Sequence, residues 1–298
     1  MNNIKPILKF LNMLIILLTL TVTICGICSF NTTQYYNVVN QYGEDIQMWG
    51  AGIYSHDSYF KAPIFIGTDF TILIVAVPLI CLTFLKANKT RDVEYYIQNF
   101  SVLSLLFYYA TSLAFGVTYN NLHLVYIALF SVCFFSISLI LAKLHMISIY
   151  QKGICSYRLT KGMEVFLLIA GISLFVAWLP DIITSITKGT SLELIEVYTT
   201  EITYVLDMGI ISPLIFLTYY LVRKKNFIGY VLLRMIFKVF IGVGVMLPIQ
   251  SAFQLLAGIS IPIPALITKV LIFVILATFA TIFEYQLKQG TEYMEYII

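Results

Sequence analysis

Three charged side chains sit inside stretches apolar enough to cross lipid. Asp69 follows Gly67-Thr68, Asp207 closes the series Thr200, Thr203, Tyr204, Asp207, and Lys269 follows Ile267-Thr268. Charge at such depth is costly and marks function by default. Each group lies about two helical turns, roughly 8–10 Å, below the same end of its segment. The series ending at Asp207 has the spacing of one helical stripe, and such a stripe should face protein rather than lipid. Asp181 comes to a shallower level with Trp178 and Pro180, and Gln250 and Gln254 share a helix face four residues apart. Asn120 lies in a short turn, Tyr119-Asn120-Asn121. These groups predict a polar cavity in which Asp69 and Asp207 oppose Lys269. Gln250, Gln254, Tyr204, Thr203, Asp181 and Asn120 complete its lining, and a cation or small polar solute is its ligand. The competing reading is a structural ion-pair layer that fixes helix register in a membrane scaffold or partner subunit.

A second group lies toward the opposite side. Arg234 and Lys238 are four apart on one helix face, where like charges repel, so a counter-charge or water is expected. Arg234 reads as snorkelling to the headgroups. Lys238, deeper, shares its helix with Gly242, Gly244 and Pro248, which allow close packing and a kink. Lys238 and Pro248 are therefore the candidate gating residues. Cys25 and Cys28 could form a redox pair. Cys81, Cys133 and Cys155 provide no second pair to relay electrons, so inert thiols are the favoured reading. His56, Asp57 and His123 are too scattered to predict a metal site. The chain lacks His-Glu-x-x-His, Gly-x-Ser-x-Gly and Walker A sequences. No catalytic set, cofactor or nucleic-acid partner is implied, and an intramembrane enzyme ranks last.

The elements that must position these groups are apolar helices. The chain has 298 residues, 60% hydrophobic and 11% charged, with a mean hydropathy of +0.90. Soluble domains carry about 25% charged residues. The fold class is all-α: a polytopic membrane helical bundle partnered by the lipid bilayer. Eight segments reach spanning length, near 7–30, 64–85, 98–118, 122–146, 163–184, 202–222, 228–256 and 262–284. The first reads as a retained span, because its apolar run is longer than a signal peptide's and no small-x-small site follows. With the N-terminus inside, Lys and Arg collect in the inner connections, and the outer loops hold only Lys61 and Lys188. That bias places both termini in the cytoplasm and the bundle in the cell membrane. One membrane domain covers 1–298, with 31–62 as an extracytoplasmic loop that caps the bundle. The hairpin of segments over 198–256 is the expected centre.

An internal repeat is also legible. Pro78-Leu79-Ile80-Cys81-Leu82-Thr83 recurs as Pro213-Leu214-Ile215-Phe216-Leu217-Thr218, a shift of 135 residues. That shift carries the third and fourth segments onto the seventh and eighth. It predicts halves 1–150 and 151–298 in a 4+4 parallel repeat.

Several phrases resemble a family of bacterial and archaeal multi-pass membrane proteins without an assigned activity. They are Gly67-Thr68-Asp69 with Val77-Pro78-Leu79, Tyr119-Asn120 with 125–131, Tyr198-Thr199-Thr200 with Val205-Leu206-Asp207, and 253–258. The resemblance implies a polytopic bundle. It brings no substrate, cofactor or catalytic residue.

Overall fold

The computed structural model describes residues 4–90, 92–150, 155–261 and 263–293. Among them, seven helices are long and apolar enough to cross a membrane. They are α1 (Lys5–Ile27), α2 (Ala62–Lys86), α3 (Asp92–Gly116), α4 (His123–Ile149), α5 (Lys161–Lys188), α6 (Ile202–Arg223) and α7 (Phe227–Leu256). The chain is a multi-pass membrane protein built as an all-α bundle. The eighth expected segment is helical in three abutting stretches, Ile263–Leu266, Ile267–Leu271 and Ile272–Gln289, together called α8.

Local chemistry sets the helix ends and irregularities. The Thr160 side chain accepts the Met163 N–H at the start of α5, and Asn226 accepts the Ile228 N–H at the start of α7. Gly189 ends α5 in the left-handed conformation, at φ 65°. Two of the three π-helical turns among the described residues, Ile72–Ala76 in α2 and Asp207–Ile211 in α6, each stand just before a proline, Pro78 and Pro213, whereas the third, Ile267–Leu271 in α8, has none after it. Proline lacks the N–H for the bond one turn back and its ring crowds that carbonyl, so the preceding turn widens.

The centre of the bundle is α3 with α7; of the 198–256 hairpin the α7 arm is central, and the α6 arm is not. In their most apolar windows α7 is 72% buried and α3 67%, against 33% for α6 and 28% for α4 and α5. The least apolar spanning helix, α3, is thus among the most buried. Lipid-facing helices must be apolar all round, whereas a helix surrounded by protein can carry Tyr, Asn and Ser. Tyr95, Phe100, Leu103 and Tyr109 of α3 and Tyr230, Phe237 and Phe240 of α7 share the main core.

Helix neighbours follow a pattern. In the first half α1 packs on α2 and α4, and α3 packs on α2 and α4. In the second, α5 packs on α6 and α8, and α7 packs on α6 and α8. Across the middle α7 meets α2, α3 and, less closely, α4, and α3 meets α6.

The 31–61 segment caps one face of the bundle, here the cap face. It forms an antiparallel hairpin, β1 (Tyr36–Val39) and β2 (Asp45–Met48), then a short 3₁₀ turn, Gly52–Tyr54. Trp49 and Tyr54 are fully buried in a satellite core with Ala62, Ile66 and Ala257, and the Trp49 Nε1–H donates to the Ser29 carbonyl at 2.8 Å.

The opposite, basic face is locked by ion pairs. Arg234 is buried, in contrast to the snorkelling its sequence position suggests. Its guanidinium grips Glu94 of α3 through two bonds of 2.8 and 2.9 Å, and also donates to the Tyr230 hydroxyl. Glu94 lies in the first turn of α3, close enough to bring a fork-matched carboxylate to α7, and pairing there replaces hydration. Lys238 reaches Glu284 at 3.0 Å, and Lys288 holds the other oxygen at 2.9 Å.

Candidate functional site

Asp69 is fully buried in α2, one turn before the π-helical stretch. Tyr54 of the cap donates to its Oδ2 at 2.7 Å, and Tyr109 of α3 donates to its Oδ1 at 2.5 Å. The backbone of α1 lies directly against the carboxylate at Gly26, where an added Cβ would fall 1.7 Å from Oδ2. Only glycine allows that approach. Nearby, α2 and α7 touch at Gly67, where a Cβ would lie 2.7 Å from the Gln250 Cα. Gln250 donates to the Thr68 hydroxyl at 2.6 Å, and Gln254 to the Phe60 carbonyl at 3.1 Å.

Asp207 occupies a separate nest. Tyr108 donates to its Oδ1 at 3.0 Å, and the Trp178 indole N–H to its Oδ2 at 2.9 Å. Trp178 stacks on Tyr204, with ring centroids 4.7 Å apart, and Tyr204 donates to Asp181 at 2.7 Å. Thr203 contributes its carbonyl to the Asp207 N–H. Asp207, Asp181, Tyr204 and Thr203 therefore come together. Asp69, Gln250 and Gln254 gather on the α2–α7 side. Lys269 lies in the Ile267–Leu271 turn, and its side chain is outside the described residues. Among the described residues neither buried aspartate has an ion pair.

The open cavity is elsewhere on the cap face. It holds about 430 Å³ between the end of α1, the 3₁₀ turn of the cap and the α3–α4 turn. Cys25, Cys28, Ser55, His56, Asn120 and Asn121 line it. Asn120 is the one predicted ligand residue among its walls. The Asn120 amide donates to the Tyr126 hydroxyl at 3.2 Å, and its side-chain carbonyl accepts the Leu122 N–H. His56 Nδ1 lies 3.0 Å from the Tyr36 hydroxyl. Among the described residues no three His, Cys, Asp or Glu side chains group to hold a metal.

A further polar cluster ties the cap to the α5–α6 connection. Asp57 Oδ1 accepts the Thr118 N–H at 2.9 Å and the Tyr198 hydroxyl at 3.0 Å. Burial pushes the Asp57 carboxyl up to about 7, although these hydrogen bonds and Lys61 pull the other way. Lys61 pairs with Glu201 and lies 4.2 Å over the Tyr198 ring, and the Ser58 hydroxyl donates to Glu196. Burial also raises Glu196, against the Ser58 hydrogen bond and Lys61.

Sequence reasoning missed Tyr54, Tyr108, Tyr109, Glu94 and Glu284. Tyrosine in an apolar run carries no signal separating a hydroxyl aimed at a carboxylate from ordinary packing. Glu94 could have been found as the nearest acid at the basic face facing Arg234. No family model, curated protein or solved structure matches the chain.

Proposed function

We propose that the protein binds a small polar solute in the cap-face cavity and moves it across the cell membrane. The cavity itself carries this reading: a space of about 430 Å³ that opens at the bundle end and is walled by hydrogen-bonding groups. Its walls bring amides, hydroxyls, thiols and one imidazole but no carboxylate, which favours an uncharged polar solute over a cation. Asp69 and Asp207 then act beneath it rather than as direct ligands. The moving element is α7, with Pro248 inside it and Lys238 tethered to Glu284. Opening toward the basic face would have to break that tether.

The same reading takes α8 as an eighth span, with both termini in the cytoplasm and the cap outside. It also takes the bundle as two four-helix halves. Four observations support the halves. The Pro-Leu-Ile motifs and the π-helical turns of α2 and α6 share one shift of 135 residues, although the π-helical turn of α8 has no counterpart in α4. Neighbours within the first half match those within the second. Close contact of Gly67 with Gln250 has its counterpart in that of Ile202 with Gly116, one residue from the strict equivalent of Gln250. Finally, α2–α7 and α3–α6 are the paired cross-contacts expected of a two-fold axis along the membrane normal.

The test is uptake of a panel of neutral metabolites, with cations as the contrast, into proteoliposomes. His56→Leu, at an exposed wall residue of the cavity, should abolish uptake and leave folding intact. Uptake of none of the panel, or unchanged uptake in that variant, refutes the reading. Cysteines at positions 224 and 188 should label from the inner and outer side respectively. A second reading, a scaffold, is favoured by the hydrogen bond that each side-chain oxygen of both aspartates accepts and by the Arg234–Glu94 and Lys238–Glu284 pairs. It predicts that Asp207→Asn lowers thermal stability without touching any uptake.

A further inference from the structure

We propose that Asp69 is a proton-binding group loaded from the cap-face cavity through the phenols around it. The carboxyl is fully buried, and its partners are two phenol hydroxyls, from Tyr54 and Tyr109. A carboxyl held by phenols alone can change protonation with its partners in place. Uptake turns one hydrogen bond around: the new acid O–H donates to one phenol oxygen, and that phenol's own O–H turns away to a water or a neighbouring oxygen, while the other phenol keeps donating to the acid carbonyl. No ion pair has to break.

The proposed route starts at the cavity wall. Asn120 lines the cavity and donates to the Tyr126 hydroxyl. Tyr126 in turn lies within electrostatic reach of Tyr54, Tyr109 and Asp69. On the α1 side the Gly26 backbone covers the carboxylate. Among the described residues no hydrogen bond joins Tyr126 to Tyr54 or Tyr109, so a water or a phenol rotation completes the proposed route. The titratable groups facing the cluster are Tyr54 and Asp57 from the cap, Tyr109 from α3, Tyr126 from α4 and Cys25 from α1. From α7 the neighbouring group is the uncharged Gln250. The step balances simply: a hydronium ion in the cavity gives up its proton, water remains there, and the Asp69 carboxylate becomes the acid.

This inference rests on the cavity reading for the source of the proton and gives that reading its coupling ion. Its test needs no solute. Infrared difference spectra of the purified protein, taken across a pH series, should show a protonated-carboxyl C=O band that grows as pH falls. Asp69→Asn should remove one component of it, while contributions from Asp57 and Asp207 remain in both proteins. Identical spectra for the two proteins, or an Asp69 component that ignores pH, overturn the proposal. If Asp69→Asn does not fold, Tyr109→Phe serves instead. Loss of one phenol bond should move the band to higher frequency, and an unmoved band overturns the proposal. Should the band titrate while the proteoliposomes take up nothing, the proton site stands and the solute reading falls.

Discussion

Tyr108 and Tyr109 are consecutive on α3, and each closes a hydrogen bond on a different buried carboxyl. Tyr108 holds Asp207 of α6, and Tyr109 holds Asp69 of α2. Adjacent helical positions point about 100° apart, so one central helix serves a polar nest on each side of itself. The two aspartates that share a depth in the sequence are thus separated by α3. Tyr108→Phe and Tyr109→Phe should each lower thermal stability in detergent by about 1–3 kcal/mol, the usual cost of stripping a buried acceptor of a donor. The nests share no partner, so the double variant should lose about the sum. A strongly sub-additive loss would show that the nests are one network.

The Arg234–Glu94 pair makes a sharper demand. Both bonds are short, and the Arg234 side chain is 3% exposed. Glu94→Gln should cost about 3–5 kcal/mol, because it strands a buried guanidinium. The double change Glu94→Leu with Arg234→Met should recover most of that loss. If Glu94→Gln melts like the parent, Arg234 reaches water after all.

Asp57 sets a pH dependence whose sign can be worked out. Its carboxyl lies at about 7 in the folded protein, against 3.8 for the ordinary group. Between those values the folded chain holds more protons than the unfolded one. The stability from this group is therefore fully present below about 4 and is lost as pH rises through about 7. The loss is on the order of a few kcal/mol, given about 1.4 kcal/mol per unit. Asp57→Asn keeps an oxygen for the Thr118 N–H and the Tyr198 hydroxyl but cannot ionise. Its melting temperature should stay flatter than the parent's from pH 4 to 8. Parallel curves for the two proteins would exclude Asp57 as the source.

What the sequence revealed follows from how each signal is carried. A charge within an apolar run is visible residue by residue, so Asp69 and Asp207 stood out alone. Their partners did not, because the hydroxyls of Tyr54, Tyr108 and Tyr109 ride on rings that read as packing. The cavity was displaced for a related reason. Its walls come from the end of α1, a 3₁₀ turn and the α3–α4 turn, which only tertiary packing brings together, and of these Asn120 alone had been singled out. Charge within 198–256 points to α7, which is central, and equally to α6, which is not. Hydropathy held the better clue: α3, at 1.2 the lowest of the spanning helices, belongs where lipid does not reach.

The two-half architecture gives the last prediction, and it concerns two glycines. Gly67 lets α2 close on α7, and Gly116 lets α3 close on α6, where a Cβ would meet the Ile202 Cγ2 at 2.4 Å. If the halves are related by a two-fold axis, these are the same seam seen from its two ends. Gly67→Leu and Gly116→Leu should then act alike, each wedging apart a cross-half contact and lowering thermal stability by about 1–3 kcal/mol or more. The seams are not identical in stiffness. At Gly67 the obstacle is the Gln250 backbone, which cannot turn aside, whereas at Gly116 it is a branched side chain that can adjust. Gly67→Leu should therefore be the more severe of the two. Superposition of 67–150 on 202–285 with Pro78 on Pro213 should show the same hand and an axis near the membrane normal. A mismatch in hand or direction would leave the shared proline turns as local chemistry that two helices reached separately.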